Sequence, residues 1–184
     1  CARGVFTLQR HGLEHCWPAS LLERARADVE LRRWLANPDA RSESLPSALQ
    51  SRWVDAAALP SSALPDAEIE AAIREEGEVF ERIFGERPKV AVPNTFVWSA
   101  AVERAWAADG VRCVVTCGRQ YEGRGEDGGL MPPARPLFNG QGGLGDICYV
   151  VRDVYFEPVR GHRAEQLWQG VAERTALGRP ALIE

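Results

Sequence analysis

The chain has 184 residues, 22 basic and 26 acidic side chains and a formal net charge of −4. That length allows one domain with its own core, and the mild acidity argues against a general nucleic-acid or heparin surface. No stretch approaches the roughly 20 apolar residues of a membrane span, and the scattered Cys1, Cys16, Cys113, Cys117 and Cys148 do not read as a disulfide framework. A reducing, cytoplasmic setting is the expectation. No secretory leader is visible, although the chain opens at Cys1-Ala2-Arg3 without a methionine, which leaves a lost leader open.

Residues 5–9 read as a strand. Pro18 then opens a helix to about residue 35, with Leu21, Leu22, Ala25 and Val29 on its apolar stripe. Asn37-Pro38 stops it. Residues 38–65 are rich in Pro, Ser and Ala and read as an elaborated loop over one end of a sheet, with a short helix at 48–54. Pro65-Asp66 starts a second helix whose apolar face runs from Ile69 through Ile73 to Phe84, closed by Gly85. A strand at 89–92, a helix at 97–108 and a strand at 111–116 follow. Residues 118–146 are dense in Gly and Pro. Residues 147–156 are strand-like, 163–177 helical, and 180–183 begin a last strand.

Alternating strands and helices are the pattern of βαβ units on a parallel sheet. About five strands are expected, fewer than the eight of a closed (β/α) barrel. The expected fold is therefore α/β, either a fragment of a barrel or an open, incomplete one. Cys113 and Cys117 share one face of a strand and read as small buried residues.

Two of the three histidines lie in His11-Gly12-Leu13-Glu14-His15. At that spacing, on a helical turn or a tight loop, two imidazoles can be aimed at one ion. A metal at the carboxyl end of a strand also sits where α/β enzymes keep their chemistry. A purely structural pair is the alternative. The same letters spell the H-x-x-E-H peptidase motif, but Gly12 and Pro18 break the helix that motif requires.

Three segments carry a resemblance: the strand leading into His11-Gly12-Leu13-Glu14-His15, the run from Val79 through Phe84-Gly85-Glu86-Arg87-Pro88 to Pro93, and Arg179-Pro180-Ala181-Leu182-Ile183. Together they are similar to motifs of the polysaccharide deacetylase (chitooligosaccharide deacetylase homology) superfamily. The resemblance implies a distorted (β/α) barrel of the glycoside hydrolase/deacetylase type. It would span residues 1–184 as one barrel-like domain without its first and last elements.

The resemblance also implies that His11 and His15 hold a divalent metal, zinc first among them. Such a metal polarises an N-acetyl carbonyl and activates water, and a carboxylate takes the proton. The implied activity is removal of acetyl groups from a polysaccharide or oligosaccharide, with no nucleic-acid partner. A third ligand is sought at Asp146 or Asp153, with Glu14 behind the histidines. Trp17, Asn94, Phe96, Trp98 and Tyr121 are the substrate-binding candidates, with Phe138, Asn139 and Gln141 on the Gly/Pro-rich loop. The catalytic residue stays unassigned. The family's paired aspartate does not precede the histidines, Gly12 stands where a hydroxyl residue is usual, and its arginine would fall at Ala91 or Val92. A non-catalytic carbohydrate-binding relative is the alternative.

Overall fold

Short β-branched runs build the centre of the fold in the computed structural model, which describes residues 8–183. In chain order the elements are α1 (Pro18–Ala27), α2 (Val29–Ala36), β1 (Val54–Asp55), β2 (Ser62–Ala63), α3 (Asp66–Phe84), β3 (Val90–Ala91), α4 (Ala100–Ala108), β4 (Cys113–Thr116), β5 (Arg119–Gln120), β6 (Arg135–Pro136), β7 (Cys148–Val151) and α5 (Ala164–Ala176). Strands β3, β4 and β7 form a parallel sheet in chain order. Single parallel bridges extend it at both edges, Arg10 to Ala91 and Val154 to Ile183. The strand expected at 5–9 lies largely outside the described residues. The one expected at 180–183 contributes only its bridge.

Side chains alternate across a strand, so the register sorts the faces. Ala91, Val114 and Tyr149 are laterally aligned and lie in one buried cluster with Ile73 of α3 and Val102 and Trp106 of α4. That is the helix-covered face. Cys113, Val115, Val150 and Arg152 fall on the other face, with Gln9 and His11 at its edge. Cys113 and Cys117 are half-buried there, rather than buried as expected.

The expected helix from Pro18 to about residue 35 is two helices. Asp28 breaks it: its Oδ1 accepts from the amides of Glu30 and Leu31, so the residue caps α2 instead of continuing α1. The expected short helix at 48–54 is replaced by 3-10 turns at Ser42–Ser44 and Ser47–Leu49 and the start of β1. These turns are more than a loop over the sheet. Leu45, Leu49 and Ala56 build a second core with Cys16, Leu21 and Leu31. Helix α3 ends as expected, with Gly85 in the left-handed conformation.

The Gly/Pro-rich segment is fixed by one buried carboxylate. Glu103 of α4 accepts from the Leu144 amide at 2.6 Å, from the Tyr149 hydroxyl at 2.6 Å and from Arg135 Nη2 at 3.3 Å. Gly143 passes directly over that carboxylate, where a Cβ would collide with Glu103 Oε1. The Tyr149 hydroxyl is pushed far up in pKa by burial and by its bond to Glu103, so it acts as a donor.

The Arg10 bridge at the edge of the sheet is held by charge. The Arg10 side chain is buried under α3 and donates from Nη2 to Ile73 O (3.1 Å) and Asp109 Oδ2 (2.6 Å), with its Nε 3.5 Å from Glu76 Oε1. Arg87 reaches the other oxygen of Asp109 at 2.9 Å. Glu76 in turn accepts from the Gly12 amide at 2.8 Å. Burial raises the Glu76 carboxyl, while Arg10 and the Gly12 amide pull it back down.

This cluster explains a glycine inside a long helix. A Cβ on Gly77 would stand 2.5 Å from Arg87 Nη1, 2.5 Å from Asp109 Oδ2 and 2.7 Å from Arg10 Nη2. Helix propensity alone predicts that Gly77→Ala gains about 1 kcal/mol. The packing predicts instead a loss of about 2 kcal/mol, read as a lower urea midpoint at unchanged slope. A variant as stable as the parent would contradict the role given to this cluster.

Candidate functional site

Gly12 turns the chain away from the first strand with φ 99°, a value that favours glycine. Beyond β3 the chain does something rarer. Thr95 and Phe96 follow one another at φ 50° and 58°, left-handed conformations that side-chain-bearing residues seldom adopt. Three contacts hold this turn. Thr95 Oγ1 lies 2.9 Å from Ser51 Oγ, which accepts from Arg124 Nε at 2.9 Å. The Phe96 carbonyl accepts from the Tyr121 amide at 3.1 Å. The buried Arg124 also donates to Gly128 O, and burial lowers its pKa.

The strands' carboxyl ends bring together Gln9, His11, Pro93, Thr95, Phe96 and Arg152 around a groove of about 450 Å³. The Arg152 guanidinium carbon lies 4.9 Å from the Phe96 ring centroid, a cation–π distance. His11 Nδ1 sits 2.8 Å from Val92 O. A carbonyl only accepts, so Nδ1 is the donor and Nε2 is the free edge of the ring. The His11 and His15 rings meet edge-on at 4.7 Å between centroids. Burial lowers the His15 pKa, the neighbouring His11 lowers it further, and Glu43 opposes both.

The sequence-predicted residues scatter around this groove. His11 and Phe96 line it, and His15 touches His11. Asn94 is fully buried against Gly12, where a Cβ would approach its Oδ1 to 2.9 Å. Trp98 is also fully buried, with Nε1 3.4 Å from Glu103, and has no face to offer a ligand. Trp17 lies under the Arg52 guanidinium at 5.4 Å and borders a different hollow with Glu14 and Glu68. Tyr121 acts through its backbone, behind Phe96. Asn139 accepts from the Val151 amide at the end of β7, and Gln141 caps Phe138. Arg152, Thr95, Ser51 and Arg124 were not singled out by sequence. The one available signal was Arg152-Asp153 at the carboxyl end of a strand. A further hollow of about 390 Å³ lies between α3 and α4, lined by Asp66, Arg74 and Arg104. It is on the helix side of the sheet, away from His11.

Among the described residues, no third ligand joins His11 and His15 in the expected zinc site. Glu14 is paired with Arg52, and Asp153 is bound by Arg174 at 3.1 Å and by the Leu182 amide at 3.2 Å. Asp146 is exposed on its loop. Among the described residues, no group of three or more His, Cys, Asp or Glu comes together as a metal-binding set. Two imidazoles without a third ligand fall short of a zinc site.

A parallel α/β sheet with a groove at its carboxyl ends defines the class of the protein. The profile of glycosyl hydrolase family 57 matches residues 45–156, and the chain belongs to that family. Comparison with curated proteins and with solved structures returned no match. The match overturns the deacetylase resemblance and the deacetylation drawn from it. The shared features were the strand–helix alternation and the turn after α3, which are general to such sheets, and a histidine pair at common spacing. Among the described residues no helix is long and apolar enough to cross a membrane.

The His15 shift has a defined sign. Its folded-state pKa lies below the ordinary 6.5, so the unfolded chain takes up the proton first as pH falls. Stability present above that value is lost as pH drops through the window below it. Urea midpoints at pH 7.5 and 5.5 should fall less in His15→Asn than in the parent. An identical fall in both would show that His15 does not titrate between folded and unfolded chains.

Proposed function

We propose that this chain acts on carbohydrate, hydrolysing or transferring a glycosidic bond, and that its sheet is part of an incomplete (β/α) barrel. The observation that carries the reading is the groove at the carboxyl ends of strands paired in chain order, in a chain of a glycosyl hydrolase family. Ligands of open parallel sheets and barrels bind at that end. The strained Thr95-Phe96 turn supports the same reading, because strain of this kind is kept where it aims a side chain.

Phe96 offers a half-buried aromatic wall on which a sugar ring stacks. His11, with its proton fixed on Nδ1, presents Nε2 as an acceptor for a sugar hydroxyl. Ser51 is a positioning residue that holds Thr95, and Arg124 holds Ser51 in turn. Glycoside cleavage uses two carboxyl groups, about 5–5.5 Å apart for retention and about 6.5–9.5 Å for inversion. Among the described residues, the groove lining carries no acidic side chain. Glu43 is near enough to His15 to raise its pKa, and His15 meets His11 of the groove edge-on.

Release of reducing sugar from a panel of α- and β-linked oligosaccharides tests this. Phe96→Ala should raise KM about tenfold, the equivalent of about 1.4 kcal/mol of binding, with a smaller change in kcat. Turnover unaffected by Phe96→Ala and by His11→Ala would place the reaction elsewhere.

A further inference from the structure

The face of the sheet turned away from α3 and α4 carries two thiols that the groove does not use. Cys113 opens β4, Cys148 opens β7, and the two stand directly opposite one another in the parallel ladder. Opposed residues of neighbouring strands point to the same face, on strands about 4.7–4.9 Å apart. A disulfide spans Cα separations of about 4.4–6.8 Å, so the strands can stay paired when these two are joined. Cys148 is exposed and Cys113 half-buried, with Val90 of β3 next in the same row. Burial pushes the Cys113 thiol up in pKa, and the neighbouring Cys148 pushes it further. The Cys148 thiol has a weak contact, 3.7 Å to the Tyr149 carbonyl. Cys16 is buried in the second core, and Cys117 lies past the far end of β4, roughly 13 Å along the strand from Cys113. Cys1 lies outside the described residues.

From this placement we infer that Cys113 and Cys148 are a redox pair, oxidised by a low-molecular-weight disulfide of the glutathione class to a bridge between β4 and β7. The Cys148 thiolate attacks one sulfur of the small disulfide, whose S–S bond breaks and releases one small thiol. The Cys113 thiolate then attacks Cys148 Sγ, and the second small thiol leaves. Two protein thiols are oxidised and one small disulfide is reduced, the protons lost from Cys148 and Cys113 passing to the departing thiolates. The order follows exposure, since Cys148 is open to the reagent and Cys113 has only to reach its neighbour. The bridge closes a loop around the Gly/Pro-rich segment, whose Arg124 holds Ser51 and whose Tyr121 amide holds the Phe96 carbonyl. Both cysteines begin their strands, whereas the groove lies at the carboxyl ends. Oxidation therefore ties the base of that segment without entering the groove. The inference is independent of the carbohydrate reading.

Incubation of the native, reduced chain with oxidised glutathione, then acid quenching, digestion and mass spectrometry, tests this. The peptide bearing Cys148 is expected to be joined to the one bearing Cys113, within one chain and two hydrogens lighter than their sum. Cys113→Ser should stop with glutathione held on Cys148. Cys148→Ser should leave Cys113 unbridged, and Cys117→Ser should form the bridge as the parent does. The bridged chain should unfold at a higher urea midpoint than the reduced one, because the closed loop restricts the unfolded chain. Dithiothreitol should reverse that shift. A parent that keeps glutathione on Cys148, or in which Cys148 does not react, would overturn the pair. So would a bridge to Cys148 that survives Cys113→Ser. A bridged chain with a lower midpoint would show that β4 and β7 must part to make the bond, and would overturn it as well.

Discussion

A single buried guanidinium joins the parts of this molecule that sequence separates. Arg10 leaves the first strand, passes under α3 and ends on Asp109, beyond α4. Glu76 lies beside it and takes the Gly12 amide. Glu76, the carboxylate beside Arg10, therefore also fixes the backbone from which His11 projects. Removing one partner of such a buried cluster costs about 3–5 kcal/mol, because the remaining charge stays buried. The groove depends on this cluster for one wall.

The other wall depends on the strained turn. Two successive left-handed residues are unfavourable by of order 1–3 kcal/mol each. They persist because Ser51, itself held by the buried Arg124, grips Thr95 from outside the sheet. Both come from segments that look like loops, one from the Pro/Ser-rich stretch and one from the Gly/Pro-rich stretch. The first is anchored by its own small core and the second by Glu103, and the Arg124–Ser51 and Arg124–Ser61 hydrogen bonds join the two. The irregular parts of the chain are thus the scaffold of the site.

Much of the sheet was legible in the sequence, and the reasons are local. Helix α3 announces itself by Ile69, Ile73 and Gly85, and the strands by β-branched runs between turns. Hidden features were those that a local pattern cannot carry. Asp28 reads equally well as a solvated helix residue and as a cap, and only the folded chain decides. Trp98 looked like a sugar platform because it follows a strand, yet the left-handed turn before it sends Phe96 outwards and Trp98 inwards. The histidine pair was legible as a convergence, since His11 and His15 do meet. Their supposed third partner was not, because arginines far along the chain claim Glu14 and Asp153. Arg152 reaches Phe96 only through the lateral register of β4 and β7, which no spacing along the chain reveals.

The roles given to Phe96 and His11 require that sugar bind in the groove. Backbone amide chemical-shift mapping during titration with an oligosaccharide tests that most directly. Shifts should concentrate at His11, Thr95, Phe96 and Arg152, with weaker effects at Ser51 and Arg124 behind the turn. Shifts gathered instead around Asp66, Arg74 and Arg104 on the helix side, or around Trp17 and Glu68, with the strand ends silent, would contradict it.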